Sequence, residues 1–227
     1  MSEYLKSLND KRRSQHFLWD NRINVYNAQE LPDNINIEAI LDEISDMVPS
    51  HLLRGIESIM IGAFEHMRVK ELDALYSDNA IYIYPDYVRD EKDLQDDIVH
   101  EVAHSLEEIY PADIYGDGQI EREFIIKRMQ LYNALKHEEI TLFPRDFFLN
   151  MEYSVEFDTY LYKTVGYPLL AALTTNMFVS PYGATSLREY FASGFEEYYM
   201  KSPEYVKKIS PQIYRKIVKL ETDMEEI

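Results

Sequence analysis

From Ile37 the chain alternates apolar and polar positions with a helical period. Ile37, Ile40, Leu41, Ile44 and Val48 fall on one face, and Pro49 closes the segment. Ile56 to Ile61 then reads as a strand ended by Gly62. Two further strand-like runs, Leu72 to Tyr76 and Ala80 to Tyr84, flank Ser77-Asp78-Asn79, a turn composition that predicts a hairpin; Pro85 ends the second run. A longer helical pattern follows. Leu94, Ile98, Val102 and Leu106 recur every four residues, Val99 and Ala103 widen the stripe, and Asp90 stands where an N-cap belongs. Further acids occupy the first turns, where the helix dipole favours them.

Beyond this helix, Pro111 and Tyr115-Gly116-Asp117-Gly118 break the chain. The Asp-Gly pair lacks the spaced carboxylates of a calcium loop, so it reads as a turn before the next helix. That helix spans Gln119 to His137, with Ile120, Phe124, Met129, Leu131 and Leu135 supplying apolar surface. From Met151 the pattern is helical: Glu152 to Val165, Tyr167 to Phe178, Leu187 to Met200 and an amphipathic piece from Pro211. Pro168 suits a first helical turn after the Gly166 break. Residues 1 to about 30 are polar and mixed in charge, with Trp19 beside Phe17 and Leu18, and read as a docking helix or a loose arm. Glu221 to Ile227 reads as a frayed acidic end.

Strands followed by helices predict an α+β fold: a small mixed sheet with a helix on it, then a helical C-terminal lobe. With no repeat, low-complexity tract or linker, residues 1–227 read as one domain, its two lobes flanking a cleft. The arm runs to about 30, the sheet and long helix occupy 31–110, and the helical lobe occupies 111–227.

Composition narrows the partners. A net charge of −18 lacks the clustered Lys and Arg that nucleic acid and anionic membranes require. It would favour a basic peptide or protein substrate, but acidity for solubility alone is common among cytosolic proteins and is the weightier reading. The chain has no cysteine, so disulfides and thiolate metal sites are excluded and any metal must use His, Asp or Glu. The first residues lack the apolar run of a signal peptide, and no apolar stretch is long enough to span a bilayer. The expected location is the cytoplasm, with export by a route without a cleaved signal left open.

The chemistry gathers in the long helix, which contains His100-Glu101-Val102-Ala103-His104. Histidines four apart lie one above the other on a helix face, so both rings reach a single Zn²⁺. Glu101 sits beside the metal, where its carboxylate serves as general base for a zinc-activated water. Two histidines on a helix are also common as partly buried polar residues. A third ligand must come from elsewhere. His16, His51 and His66 precede the pair, His137 lies in a charged tail, and no Gly-x-x-His follows His104. A carboxylate on a later helix is the remaining solution. Glu189 is the best candidate, near the start of a helix whose Tyr190, Phe191 and Phe195 face inward; Glu196 and Glu197 are rival acids on that helix.

Tyr182-Gly183, five residues, then Glu189-Tyr190-Phe191-Ala192 and Phe195, after a His-Glu-x-Ala-His helix, resembles the zincin metallopeptidase family of the anthrax lethal factor catalytic domain and the Pro-Pro endopeptidases. The resemblance covers about Ala80 to Met200. It implies a zincin-like, gluzincin-type fold with one Zn²⁺ per chain on His100, His104 and Glu189, and Tyr182 as hydrogen-bond donor to the transition-state oxyanion. Glu107 and Glu108 echo the family's acidic pair after the second histidine. Ser193 stands where the family carries a further glutamate, and the interval from His104 to Glu189 is longer than in the relatives. The resemblance also implies that the strand before the metal helix, Ala80 to Tyr84, borders the cleft and accepts an extended substrate as an added strand.

The expected function is therefore a zinc-dependent endopeptidase acting on a peptide or protein, with Glu101 and Tyr182 as catalytic residues. Two alternatives stand beside it: a catalytically silent zincin-fold protein that binds or regulates, and a zinc amidohydrolase acting on a non-peptide substrate. A structural site has no use for Glu101, which weighs against the first.

Overall fold

Buried and half-buried residues alternate along Ile23–Asn27, the period-two pattern of a strand with one covered face. The computed structural model describes residues 17–18, 23–70, 72–140 and 143–223. Trp19, His16 and the last four residues lie outside them. The chain divides into two compact units between Ile109 and Tyr110.

The first unit is built on a five-stranded mixed sheet in the order β1-β2-β3-β5-β4. Its strands are β1 (Phe17–Leu18), β2 (Ile23–Asn27), β3 (Ser58–Ile61), β4 (Ala74–Ser77) and β5 (Ala80–Ile83). β2, β3 and β5 run parallel, with Val25 opposite Ile59 and Ile59 opposite Ile81; β1 and β4 pair antiparallel at the two edges. Parallel pairs need crossovers, and helices α1 (Ile37–Met47) and α2 (Glu65–Lys70) lie in those connections. Asn36 caps α1, its side-chain oxygen accepting from the N–H groups of Glu38 and Ala39. The predicted hairpin forms. Asp78 (φ 52°) and Asn79 (φ 60°) both take the left-handed conformation that a two-residue turn of this hand demands, and both residue types tolerate it.

Helix α3 (Glu91–Ile109) carries the histidine pair. Asp90 is its N-cap as expected, accepting from the Asp93 N–H at 2.9 Å. Leu94, Ile98, Val102 and Leu106 are almost fully buried, so the stripe read from the sequence is the face the helix packs. Gly55 lets the preceding loop approach closely: a Cβ there would sit 2.9 Å from Ser105 Oγ.

The second unit is helical: α4 (Pro111–Tyr115), α5 (Gln119–His137), α6 (Arg145–Leu149), α7 (Val155–Thr159), α8 (Tyr167–Thr174), α9 (Leu187–Met200), α10 (Pro203–Ile209) and α11 (Pro211–Asp223). Phe124 and Leu131 of α5 and Tyr190, Phe191 and Phe195 of α9 are fully buried, as expected of their spacing.

Several expectations are corrected. The segment read as an arm contributes β2, an interior strand, because Ile23 and Val25 supply just enough apolar surface to bury one face. The helix expected over 152–165 begins at Val155 and becomes a π-turn over Tyr160–Gly166; α8 then starts behind Gly166 (φ 83°) with Pro168 in its first turn. α8 stops at Thr174, short of Phe178. The short helices α6 and α10 were not predicted, being five and seven residues long. The Ala80 strand is no edge: β5 lies between β3 and β4, and β4 holds the free side. Among the described residues no helix is long and apolar enough to cross a membrane.

Candidate metal centre

The geometry of α3 brings the His100 and His104 rings together, centroids 5.1 Å apart and steeply inclined. His104 is buried and His100 half-buried. One turn on, the Glu107 carboxylate meets His104 Nδ1 at 2.7 Å. A carboxylate on Nδ1 holds the proton there and directs the other ring nitrogen, Nε2, as the ligand atom, the usual partner of a metal-binding histidine.

Glu189 lies in the first turn of α9. Ser186 is the N-cap, its hydroxyl accepting from the Glu189 N–H at 3.2 Å. The Ser-x-x-Glu spacing is a helix-start signature, so one local pattern fixes where this glutamate stands. One ligand atom each from His100, His104 and Glu189 lies within 4.8 Å of the other two. Two imidazoles and one carboxylate are donor types that Zn²⁺ prefers, and the residues fit the metal the sequence suggested. Glu196 and Glu197 do not join that group; each pairs with Lys201, at 3.1 and 3.8 Å.

Glu101 is buried, and its Oε2 accepts the main-chain N–H of Tyr76 at 2.6 Å. Tyr76 sits in β4. Asp73 accepts from Tyr84 in the hairpin, so by alternation Ala74 and Tyr76 present their main-chain groups to the free side of the sheet. The Tyr76 phenol reaches Asn79 and Glu108, the latter at 3.1 Å; burial and the Glu108 charge push that phenol up to about 12. Strand and helix are thus tied at Glu101 and Glu108, seven residues or two turns apart on one face of α3. Asp97, also on α3, is pushed up to about 8 by burial and then by the charges of Asp73 and Asp93.

Tyr182 opens a short 3-10 turn, Tyr182–Ala184, and is 42% exposed. Its carbonyl accepts from both the N–H and the hydroxyl of Thr185, at 2.9 and 2.8 Å. Ser193 is buried beneath this turn, in van der Waals reach of a side chain at Gly183. Sequence reasoning missed Tyr76, whose role is a main-chain one that no side-chain pattern encodes. It also missed Tyr153, whose phenol donates to Asp158 at 2.8 Å and is pushed up to about 12 by burial, then Asp158, then the Glu189 charge. The His104–Glu107 contact was missed as well, Glu107 having been read only as an echo of the family's acidic pair; its three-residue spacing on one helix was the signal that could have found it. Comparison with known proteins finds no matching family model, no matching curated protein and no matching solved structure.

Proposed function

We propose that this chain is a zinc-dependent endopeptidase, holding one Zn²⁺ on His100, His104 and Glu189. The observation that carries the reading is the convergence of these three ligand atoms within 4.8 Å, with a buried carboxylate, Glu101, next to the first of them in sequence. Bound there, the ion would supply Lewis acidity, polarising a substrate carbonyl and making water acidic enough to attack.

The chain's own groups do the rest. Glu101 anchors Oε2 on the Tyr76 N–H and uses Oε1 to take the proton of the attacking water, returning it to the departing amine nitrogen. The Tyr182 phenol donates a hydrogen bond to the oxygen that gains charge as the carbonyl becomes tetrahedral. The outward N–H and C=O of Ala74 and the C=O of Tyr76 on β4 receive the extended peptide as an added strand, while the Tyr76 N–H stays on Glu101; the resemblance had given that role to the Ala80 strand.

A purely structural or regulatory metal site has no use for a buried carboxylate fixed beside its first ligand, and this favours catalysis. The test is a diverse peptide library read by mass spectrometry, with and without chelator, on wild type and Glu101→Gln. Wild type should bind about one zinc per chain and cleave. Glu101→Gln should bind the same zinc and lose essentially all turnover. Cleavage at a near-normal rate by Glu101→Gln overturns the mechanism. Zinc binding with hydrolysis only of non-peptide amides moves the reading to an amidohydrolase.

A further inference from the structure

Among the described residues, the largest fully buried side chain is Arg128 of α5, 1% exposed. Among the described residues no carboxylate meets it. Its guanidinium donates instead to main-chain carbonyls: Nη1 to Ala184 at 2.9 Å and to Thr185 at 3.1 Å, and Nη2 to Phe147. The Phe157, Phe124 and Phe148 rings surround it, with the Phe157 centroid 4.2 Å from Cζ. Nε finds no partner among the described residues. Burial alone pulls this arginine down to about 9.

A buried cation without a counter-ion is a poor device for stability, since apolar groups of the same volume commonly fill such a space at no loss. What the guanidinium does that an apolar group cannot is hold two successive carbonyls of one short turn. Thr185, which accepts from Arg128, donates twice to the carbonyl of Tyr182. A continuous chain of hydrogen bonds therefore runs from Arg128 through Thr185 to Tyr182.

We propose that Arg128 is a positioning residue for the oxyanion donor: by clamping the Ala184 and Thr185 carbonyls it fixes the turn from which Tyr182 reaches the reacting carbonyl. The functional half of this inference rests on the zinc-peptidase reading.

The experiment is a double-mutant cycle on zinc-loaded protein, pairing Arg128→Lys with Tyr182→Phe, together with amide hydrogen exchange. Lysine keeps the charge but has one nitrogen on a shorter head, so it cannot hold the Ala184 and Thr185 carbonyls and the Phe147 carbonyl together as the two guanidinium nitrogens do. Arg128→Lys should bind one zinc per chain and lower kcat by about 10–100-fold with KM within about threefold of wild type. Placed on Tyr182→Phe, the same change should cost less than about threefold more, because residues acting as one unit are not additive. Amides of the 183–185 turn should exchange at least about tenfold faster, while those of β3 and β5 stay unchanged. Thr185→Val leaves Arg128 intact and deletes only the hydroxyl donor to Tyr182; it serves should Arg128→Lys fail to fold, with a smaller loss of kcat that also vanishes on Tyr182→Phe.

A wild-type kcat in Arg128→Lys while Tyr182→Phe is impaired overturns the inference and leaves the peptidase reading standing. Fully additive losses overturn it as well, since Arg128 then acts by another route. Wild type without zinc-dependent cleavage sinks the peptidase reading instead, and the exchange rates of the turn still decide whether Arg128 holds it.

Discussion

If His104 ligates zinc as proposed, removing the Glu107 carboxylate that holds its ring should weaken zinc binding. Its Oε2 lies 2.7 Å from His104 Nδ1, and both side chains are nearly buried, so the bond is shielded from water. A hydrogen bond to a charged group is worth about 1.5–3 kcal/mol. Deleting the partner of a metal-binding histidine costs about 10–100-fold in metal affinity, which is about 1.4–2.7 kcal/mol. The two figures agree, so the expected change for Glu107→Ala is a zinc Kd larger by that factor. Glu107→Gln keeps the shape and an acceptor but not the charge, and should fall between Ala and wild type. The measurement is competition with a chromophoric chelator at fixed pH. Glu108→Ala is the control: Glu108 holds the Tyr76 phenol and not a ligand histidine, so its Kd should stay within about threefold of wild type. An unchanged Kd in Glu107→Ala, or a greater loss in Glu108→Ala, would refute the idea that this bond orients the ligand.

Three further outcomes follow from the same geometry. Glu189→Ala should strip zinc, while Glu196→Ala and Glu197→Ala keep it, because positions about two turns along α9 cannot reach the same ion; metal analysis of the purified variants decides. Tyr182→Phe should leave zinc content and Tm near wild type and lower kcat by about 10²–10³-fold with little change in KM; a rate within about threefold of wild type makes this tyrosine a packing residue. Burial pulls Lys127 down to about 8, so between about pH 8 and 10.5 the unfolded chain carries a proton the folded one has shed, and stability rises with pH across that window. Denaturant melts at pH 7 and 10 should show wild type gaining about 2–3 kcal/mol relative to Lys127→Met, and a constant difference would mean that this lysine titrates normally.

What the sequence made legible divides along a physical line. Wherever a role depends on spacing along one helix, side-chain identity encodes it: the four-residue step from His100 to His104, the three-residue step to Glu107 (present in the sequence though not read as a contact), and the Ser186 cap that sets Glu189 in its first turn. The hairpin was legible for the same reason, since Asp78 and Asn79 suit the backbone they must adopt. Sheet order was not. β4 and β5 have similar apolar content, and which one lies at the edge depends on the parallel pairing of β5 with β3, a non-local choice.

Least legible were the contacts made to main-chain atoms. Tyr76 holds Glu101 through an N–H that any residue except proline would supply, and Arg128 holds the Tyr182 turn through carbonyls that every residue has. In the sequence Arg128 is one more charged residue on an amphipathic helix; its burial follows from Phe124, Phe148 and Phe157 closing around it, and those come from three separate helices. The same division separates the substitutions. Under the proposed function, changing a ligand or Glu101 removes an atom the chemistry uses. Changing Arg128 leaves every such atom in place and alters only where one of them stands. Loss of position without loss of the group should therefore appear in kcat and in local exchange, with bound zinc unchanged.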